Sequence, residues 1–205
     1  GAGVAAAISA GFSSPIAGII FAHEVVLRHF SMRAVTAISL ASVSANLTAI
    51  EMNLMTPFLN YDYSQFNSTD AIPGLFVIGF FSALVAFIFM RSLLLSSKIA
   101  QLSGISFHLR PLIPGVMCGI AGIFIPQSIG LGSETILNVL TSMNSLYFLI
   151  LILFLKIVLT SSCVGFGLFG GILSPALLLG ACSGAIIYHV PFLGIDASLM
   201  AIFAV

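Results

Sequence analysis

The stretch Ser161–Gly180, SSCVGFGLFGGILSPALLLG, decides the interpretation of this chain, because it places five glycines and one proline inside strongly apolar sequence. Glycine and proline interrupt helices, so we expect one helix to end here and another to begin near Ile172. In hydrocarbon an unpaired backbone N–H or C=O costs several kcal/mol. Broken backbone is therefore tolerated only where it is buried in protein or lines a polar cavity.

The expected helix start near Ile172 favours an anion. The first N–H groups of a helix have no partner within it, and the helix dipole is positive at that end. The glycines before the start let the backbone approach a ligand closely. Pro175 falls in the first turn, where its missing N–H costs nothing and its fixed φ favours helix initiation. The pattern predicts an ion or small solute held by backbone N–H groups.

The composition is that of a membrane protein. The 205 residues are 60% hydrophobic and only 6% charged, with a mean hydropathy of +1.22, whereas soluble domains carry about 25% charged residues. Helices of about 20 apolar residues each absorb such a sequence by spanning a bilayer. We therefore predict an all-α, polytopic integral membrane protein. The net charge of zero gives no indication of a nucleic-acid partner.

The chain starts at Gly1 without an initiator methionine and ends inside the apolar run Leu199–Val205. We interpret residues 1–205 as a single excerpt of a longer membrane domain, and no signal peptide pattern is visible at its start. The three cysteines show no metal-ligand spacing, so we expect small buried hydrophobic side chains rather than a redox role. They are Cys118, Cys163 and Cys182.

Apolar runs separated by turn residues predict the helices. Gly1–Phe12 is rich in Ala and Gly, which is typical of closely packed membrane helices. The Ser-Ser-Pro sequence at 13–15 indicates a helix N-terminus, and that helix is expected to reach about Leu27. Such interrupted spans are typical of transporters with discontinuous helices around a central site. The other expected helices are Ala34–Ile50, Pro73–Met90, Pro111–Ile125, Ser133–Leu140, Leu146–Leu159, Ile172–Tyr188 and a last one after Asp196.

The basic residues predict one orientation in the membrane. They follow expected spans or, for Lys156, lie near the inward end of one, so the positive-inside rule places them in the cytoplasm. The acidic loop Glu51–Asp70 is then expected outside, and its Asn-Ser-Thr triplet at 67–69 would accept a glycan in a secretory-pathway protein. The basic residues are Arg28, Arg33, Arg91, Lys98, Arg110 and Lys156.

Two segments resemble the CLC family of chloride channels and proton/chloride antiporters. Gly11–Phe30, GFSSPIAGIIFAHEVVLRHF, is similar to the family's helix that starts small-small-Pro-Leu-Ala-Gly and carries a Glu near its end. Gly165–Gly184, GFGLFGGILSPALLLGACSG, resembles the segment with the G-x-F-x-P filter motif. The intervening pieces follow the same order. The resemblance covers essentially the whole chain, which corresponds to the end of the first half and most of the second half of a CLC membrane domain.

The resemblance implies a CLC-like bundle of tilted and broken helices that carries chloride, as a channel or as a weakly proton-coupled antiporter. Chloride is then the ligand and no cofactor is implied. It also implies a homodimer with one pathway per subunit. The implied anion contacts are the backbone N–H groups of Gly171, Ile172 and Leu173, with Gly170, Ser174 and Pro175 supporting the motif.

Two positions depart from the family pattern. Leu173 stands where the filter motif usually has Phe, which changes the side chain beside the anion but keeps the backbone donors. Val25 stands where proton-exchanging members tend to carry the second of two consecutive acids, so this pattern favours a channel or weak coupling. The family's other anion-binding motifs and its gating Glu are expected before Gly1, and its anion-contacting Tyr after Val205. This excerpt alone is therefore not expected to conduct.

Two ionisable residues in or at the end of apolar helices each have two interpretations. Glu24 is either a functional, proton-carrying group or the partner of Arg28, four residues further on, and we favour the pairing. Lys156 either attracts anions electrostatically or snorkels to the cytoplasmic interface.

Other functions stay open at this point. The same architecture suits a secondary transporter of another small anion, such as fluoride or nitrate. An intramembrane metalloprotease around His23 and Glu24 is disfavoured, because Leu27 occupies the position of the second histidine in the zinc-protease motif. His29 lies about 600° around the helix from His23, on the far face. We therefore predict a transporter without a metal site rather than an enzyme.

Overall fold

The computed structural model describes residues 1–29, 32–53, 68–130, 132–141, 145–168 and 170–189. Within these ranges the chain forms eight α-helices, a π-helical segment and a 3-10 turn, and no strand, which confirms the all-α prediction. Most of the expected acidic loop, Asn67 of the triplet and the helix after Asp196 lie outside the described residues. The contacts divide the chain into two compact units, Gly1–Asn60 and Tyr61–Val205, which are described separately.

The first unit contains three helices: α1 (Ala2–Phe12), α2 (Pro15–Phe21) and α3 (Met32–Glu51). Pro15 opens α2 and Ser14 is its N-cap, which confirms the helix start predicted from the sequence. Helix α2 continues as a π-helix over Ala22–Leu27. The predicted end near Leu27 is therefore right, but the last turns are wider than those of an α-helix.

Small residues let the helices of the first unit pack closely. An ideal Cβ on Gly18 would lie 2.6 Å from the carbonyl oxygen of Ala5, so α1 and α2 approach backbone to backbone. Ser42 of α3 is fully buried and donates from Oγ to the Pro15 carbonyl at 2.8 Å. The Ser42 carbonyl accepts from Ser9 Oγ at 2.7 Å. The close packing predicted for the N-terminal stretch is confirmed, with serine hydroxyls joining the helices.

The second unit contains α4 (Ser68–Leu102), α5 (Leu112–Phe124), α6 (Ser133–Thr141), α7 (Leu146–Gly165) and α8 (Leu173–Tyr188). Two of these helices are longer than predicted. Helix α4 continues through Arg91 and Lys98, which were expected beyond its end. At about 1.5 Å per residue it is about 50 Å long, more than the ~30 Å hydrocarbon core of a bilayer, so part of it lies outside the hydrocarbon or the helix tilts.

Helix α7 extends to Gly165 rather than ending near Leu159, because its serines do not interrupt it. Ser161 is buried, and its Oγ donates to the carbonyl of Val158 at 3.1 Å. A serine that bonds back to the preceding turn is compatible with a helix in apolar surroundings. The break between α7 and α8 is consequently shorter than expected and covers residues 166–172.

Helix α8 lies at the centre of the second unit. Its residues 178–185 are all buried, and Leu179 packs in one apolar cluster with Phe89 of α4 and Ile157 of α7. Helices α4 and α7 meet closely at Gly165, where an ideal Cβ would lie 2.7 Å from the carbonyl carbon of Ser96. Packing against α4 and α7 therefore fixes the buried middle of α8.

Three helices in the described part of the chain are long and apolar enough to cross a membrane: Met32–Glu51, Gly74–Leu102 and Leu146–Gly165. Four shorter apolar helices accompany them: Ala2–Phe12, Pro15–Leu27, Leu112–Phe124 and Leu173–Ile187. A helix of fewer than about 17 residues does not span ~30 Å of hydrocarbon by itself. The mixture of long and short apolar helices fits the predicted broken-helix architecture.

Candidate functional site

The break between α7 and α8 begins with a defined helix cap. The N–H of Gly167 donates to the carbonyl of Val164 at 3.2 Å, and the N–H of Leu168 donates to the carbonyl of Cys163 at 2.9 Å. These two bonds form a Schellman motif, which closes a helix C-terminus. Gly167 has a φ of 93°, a left-handed conformation that glycine adopts without strain. The glycine at 167 is therefore needed for the shape of the turn.

Helix α8 begins at Leu173 with Ile172 as its N-cap, which confirms the start predicted near Ile172. The first bond within the helix runs from the N–H of Ala176 to the carbonyl of Ile172 at 3.1 Å. The N–H groups of Ile172 and Leu173 precede this bond and have no partner within the helix. The first turn of α8 contains no acidic residue, so no carboxylate there offsets the positive end of the dipole.

Residues 170–172, just before α8, are exposed in the part of the chain that the structure describes. Gly170 and Gly171 are exposed, and Ile172 is 48% exposed. An ideal Cβ on either glycine would meet no atom within 4 Å, so packing inside the described chain does not require glycine at these two positions. Pro175 is buried and anchors the helix start. Within the described residues, the two glycines before α8 are therefore exposed rather than packed.

Lys156 is a buried residue near the middle of α7, with only 3% of its surface exposed. Its Nζ donates to the carbonyl of Gly130 at 2.7 Å and to the carbonyl of Ser128 at 3.3 Å. The snorkelling interpretation is therefore wrong, and Lys156 gives no support to the predicted orientation. The sequence offered one signal for this contact, a single lysine in an apolar span. The partners of Lys156 are backbone carbonyls, which no residue pattern identifies.

The carbonyls bound by Lys156 belong to a second break, between α5 and α6. It contains the 3-10 turn Pro126–Ser128, followed by Gly130 and Gly132, each in a left-handed conformation with φ 76°. Such a turn leaves carbonyls without helical partners, and the ammonium group satisfies two of them. Lys156 therefore stabilises irregular backbone rather than facing the membrane surface.

This second break packs directly against α8. The ideal Cβ of Gly132 would lie 2.9 Å from Cδ2 of Leu178, a fully buried residue of α8. The carbonyl of Gly132 accepts from the N–H of Ile136 at 2.8 Å, in the first turns of α6. Lys156 thus connects α7 to the segment that contacts α8, the helix that carries the candidate anion site.

In the first unit, Glu24 and Val25 both lie in the π-helical segment and both are exposed. Hydrogen bonds in a π-helix join residues five apart instead of four. Arg28 follows the segment in a left-handed conformation, with φ 56°. The α-helical register on which the Glu24–Arg28 pairing was predicted is therefore absent. Sequence periodicity did not reveal the π-helix, because its residues also suit an α-helix.

His23, the other residue of the metalloprotease alternative, is buried, and its Nδ1 is hydrogen-bonded with the carbonyl of Ile19 at 2.9 Å. Among the residues that the structure describes, no three His, Cys, Asp or Glu side chains group in a way that could hold a metal ion. The metalloprotease alternative gains no support from this part of the chain.

Comparison with known proteins identifies the family. The profile of the voltage gated chloride channel family matches residues 1–205, so the chain belongs to this family, and the resemblance drawn from two motifs is confirmed. Family membership together with the three long apolar helices makes the chain part of a multi-pass integral membrane protein.

Three relatives show the extent of the similarity. An uncharacterized protein of Methanocaldococcus jannaschii is 30% identical over 188 residues, covering 90% of this chain and 47% of the relative. The H(+)/Cl(-) exchange transporter ClcA of Vibrio parahaemolyticus is 28% identical, covering 89% of this chain and 40% of the relative. Chloride channel protein CLC-f of Arabidopsis thaliana is 28% identical, covering 90% and 26%. The chain therefore spans less than half the length of these relatives.

Proposed function

We propose that the protein containing this chain carries chloride or a similar small anion across a membrane, along a pathway to which the start of α8 contributes. The observation that carries the proposal is the helix start itself. The N–H groups of Ile172 and Leu173 precede the first helical bond and lie beside two exposed glycines. The printed names of two relatives, a proton/chloride exchange transporter and a chloride channel, support the same substrate class.

Backbone donors suit an anion that must also leave its site. Conduction requires binding that is favourable enough for entry and weak enough for release. Two N–H groups and a helix dipole supply partial positive charge without a fixed cation in contact with the ion. Lys156 donates to the carbonyls of Ser128 and Gly130, so we assign it to positioning the backbone, with its charge acting on the anion only at longer range.

The mode we propose is a channel or a weakly proton-coupled antiporter. Val25 is 52% exposed and has no titratable group, while the neighbouring Glu24 is exposed and titratable. Transport of fluoride or nitrate uses the same backbone donors and is the second candidate, which relative flux measurements separate. The homodimer implied by the family resemblance stays a prediction.

A matched pair of glycine substitutions tests the site. Gly171→Ala and Gly119→Ala each add one methyl group where the described chain leaves at least 4 Å of free space. In the full-length protein reconstituted in liposomes, we expect Gly171→Ala to lower chloride flux about tenfold, or ~1.4 kcal/mol in the barrier. Gly119→Ala, in α5, is expected to leave the flux unchanged. Equal flux in both variants would contradict the proposal.

A structure of the full-length protein in bromide tests the same contact directly. Anomalous density within hydrogen-bond distance of the Ile172 and Leu173 nitrogen atoms is the expected result, since bromide replaces chloride with little change in chemistry. Density found only away from α8 would remove this helix start from the pathway.

A further inference from the structure

The structure brings together two of the three cysteines. Cys118 of α5 and Cys163 of α7 are 45 residues apart in sequence, and their Sγ atoms lie 3.4 Å from each other. Both are free thiols and only partly buried, whereas Cys182 is fully buried in α8. The expectation of a small buried hydrophobic side chain therefore holds for Cys182, while the other two form a pair that the sequence spacing did not indicate.

Cys163 lies at the turn from which the chain leads to the candidate anion site. Its carbonyl accepts the N–H of Leu168 in the Schellman motif at the end of α7. Its Sγ contacts Cys118 on a different helix. A covalent bond between the two sulfurs would therefore attach α5 to the residue that closes the cap of α7.

Helices α5 and α7 also line an apolar cleft of about 340 Å³, whose lining includes neither cysteine. Ala121, three residues after Cys118, and Leu159, four residues before Cys163, both line this cleft. Residues at these spacings share one face of a helix. A small uncharged oxidant such as hydrogen peroxide can enter an apolar cleft without losing the solvation of a charge.

We propose that Cys118 and Cys163 are a redox-active dithiol, which oxidises to a disulfide and restrains the end of α7. A disulfide bond is about 2.05 Å long, so the two Sγ atoms, now 3.4 Å apart, must approach by about 1.4 Å. The disulfide does not require helices α5 and α7 to unfold. What changes is the freedom of the α7 cap relative to α5.

The chemistry balances with hydrogen peroxide as the oxidant. One thiol is oxidised to a sulfenic acid, and the first water leaves. The second thiol attacks the sulfenic sulfur, the S–S bond forms and the second water leaves. Two thiols thereby lose two electrons and two protons, and one peroxide becomes two waters.

Peptide mapping of the full-length protein tests the disulfide without reference to transport. The protein is treated with hydrogen peroxide, free thiols are blocked with N-ethylmaleimide, and trypsin cleaves after Lys156, between the two cysteines. We expect the Cys118 and Cys163 peptides to be joined, and to separate with dithiothreitol. The joined product should persist in Cys182→Ser and vanish in Cys118→Ser and Cys163→Ser. If both Cys118 and Cys163 still carry N-ethylmaleimide after peroxide treatment, the proposal that they form a disulfide is wrong.

Flux measurements test the restraint. Peroxide should lower chloride flux several-fold in the unmodified protein and in Cys182→Ser, with recovery in dithiothreitol, and should leave Cys118→Ser unaffected. If the peptides are joined but the chloride flux is unchanged, the proposal that the disulfide restrains the end of α7 is wrong. A reduced protein that carries no chloride at all would instead contradict the proposed transport function, which the peptide map does not depend on.

Discussion

The ammonium nitrogen of Lys156 lies 2.7 Å from the carbonyl oxygen of Gly130, and the same nitrogen donates to Ser128. A buried cation thus replaces the helical donors that the break between α5 and α6 lacks. Hydrogen bonds to charged groups contribute about 1.5–3 kcal/mol, more than neutral ones. Lys156 therefore hydrogen-bonds to the backbone, whereas its residue type and position left both an anion-attracting role and snorkelling open.

Replacing Lys156 with methionine should destabilise the protein by about 1.5–3 kcal/mol, because two carbonyls in apolar surroundings lose their donor. The measurement is thermal unfolding of the solubilised full-length protein, followed by circular dichroism. Lys98→Met, at an exposed position of α4, is the matched control and should change stability by less than about 0.5 kcal/mol. Equal shifts in the two variants would show that the buried contact contributes nothing.

Gly165→Ala should separate α4 from α7. The added Cβ would lie 2.6 Å from the Cβ of Ser96 and 2.7 Å from its carbonyl carbon, so the backbone itself must move, at a cost of about 1–3 kcal/mol. Gly79→Ala adds the same methyl group to α4 where no atom lies within 4 Å, and should be neutral. Thermal unfolding followed by circular dichroism compares the stability of the two variants. A Gly165→Ala protein as stable as Gly79→Ala would contradict the close packing of α4 against α7.

Proton coupling should be weak or absent, because Val25 cannot bind a proton. In liposomes containing the full-length protein, an imposed chloride gradient should move chloride with little uphill proton flux, measured with a trapped pH-sensitive dye. The protein-free liposome is the baseline, and Val25→Glu is the variant that restores an acid beside Glu24. Robust uphill proton pumping by the unmodified protein would make it an antiporter and show that Val25 does not prevent exchange.

The local features of the site could be predicted from sequence. Pro175 and the glycines act on the backbone within a few residues, so the break and the helix start near Ile172 follow from their types alone. The end of α7 was placed too early, because a serine such as Ser161 can bond within its own helix as well as interrupt it. Local chemistry permits both outcomes, and the packing around α7 selects one.

Contacts between distant segments could not be predicted in the same way. Lys156 and Gly130 are 26 residues apart, and Cys118 and Cys163 are 45 apart. A lysine that snorkels and a lysine that binds carbonyls look alike in an apolar span, since the acceptor is a main-chain group common to all residues. Only the arrangement of α5, α6 and α7 distinguishes them.

The order of these residues along the chain has a consequence for biosynthesis. Ser128 and Gly130 precede Lys156, so both acceptor carbonyls leave the ribosome before the cation that they bind. A lysine at the centre of a membrane helix costs about 2.5–3.5 kcal/mol on insertion, and Lys156 is the single charged residue of α7. Because synthesis runs from the N-terminus, α7 enters the bilayer when its acceptors are already present. The two carbonyls that accept from Lys156 are therefore synthesised before the helix that needs them.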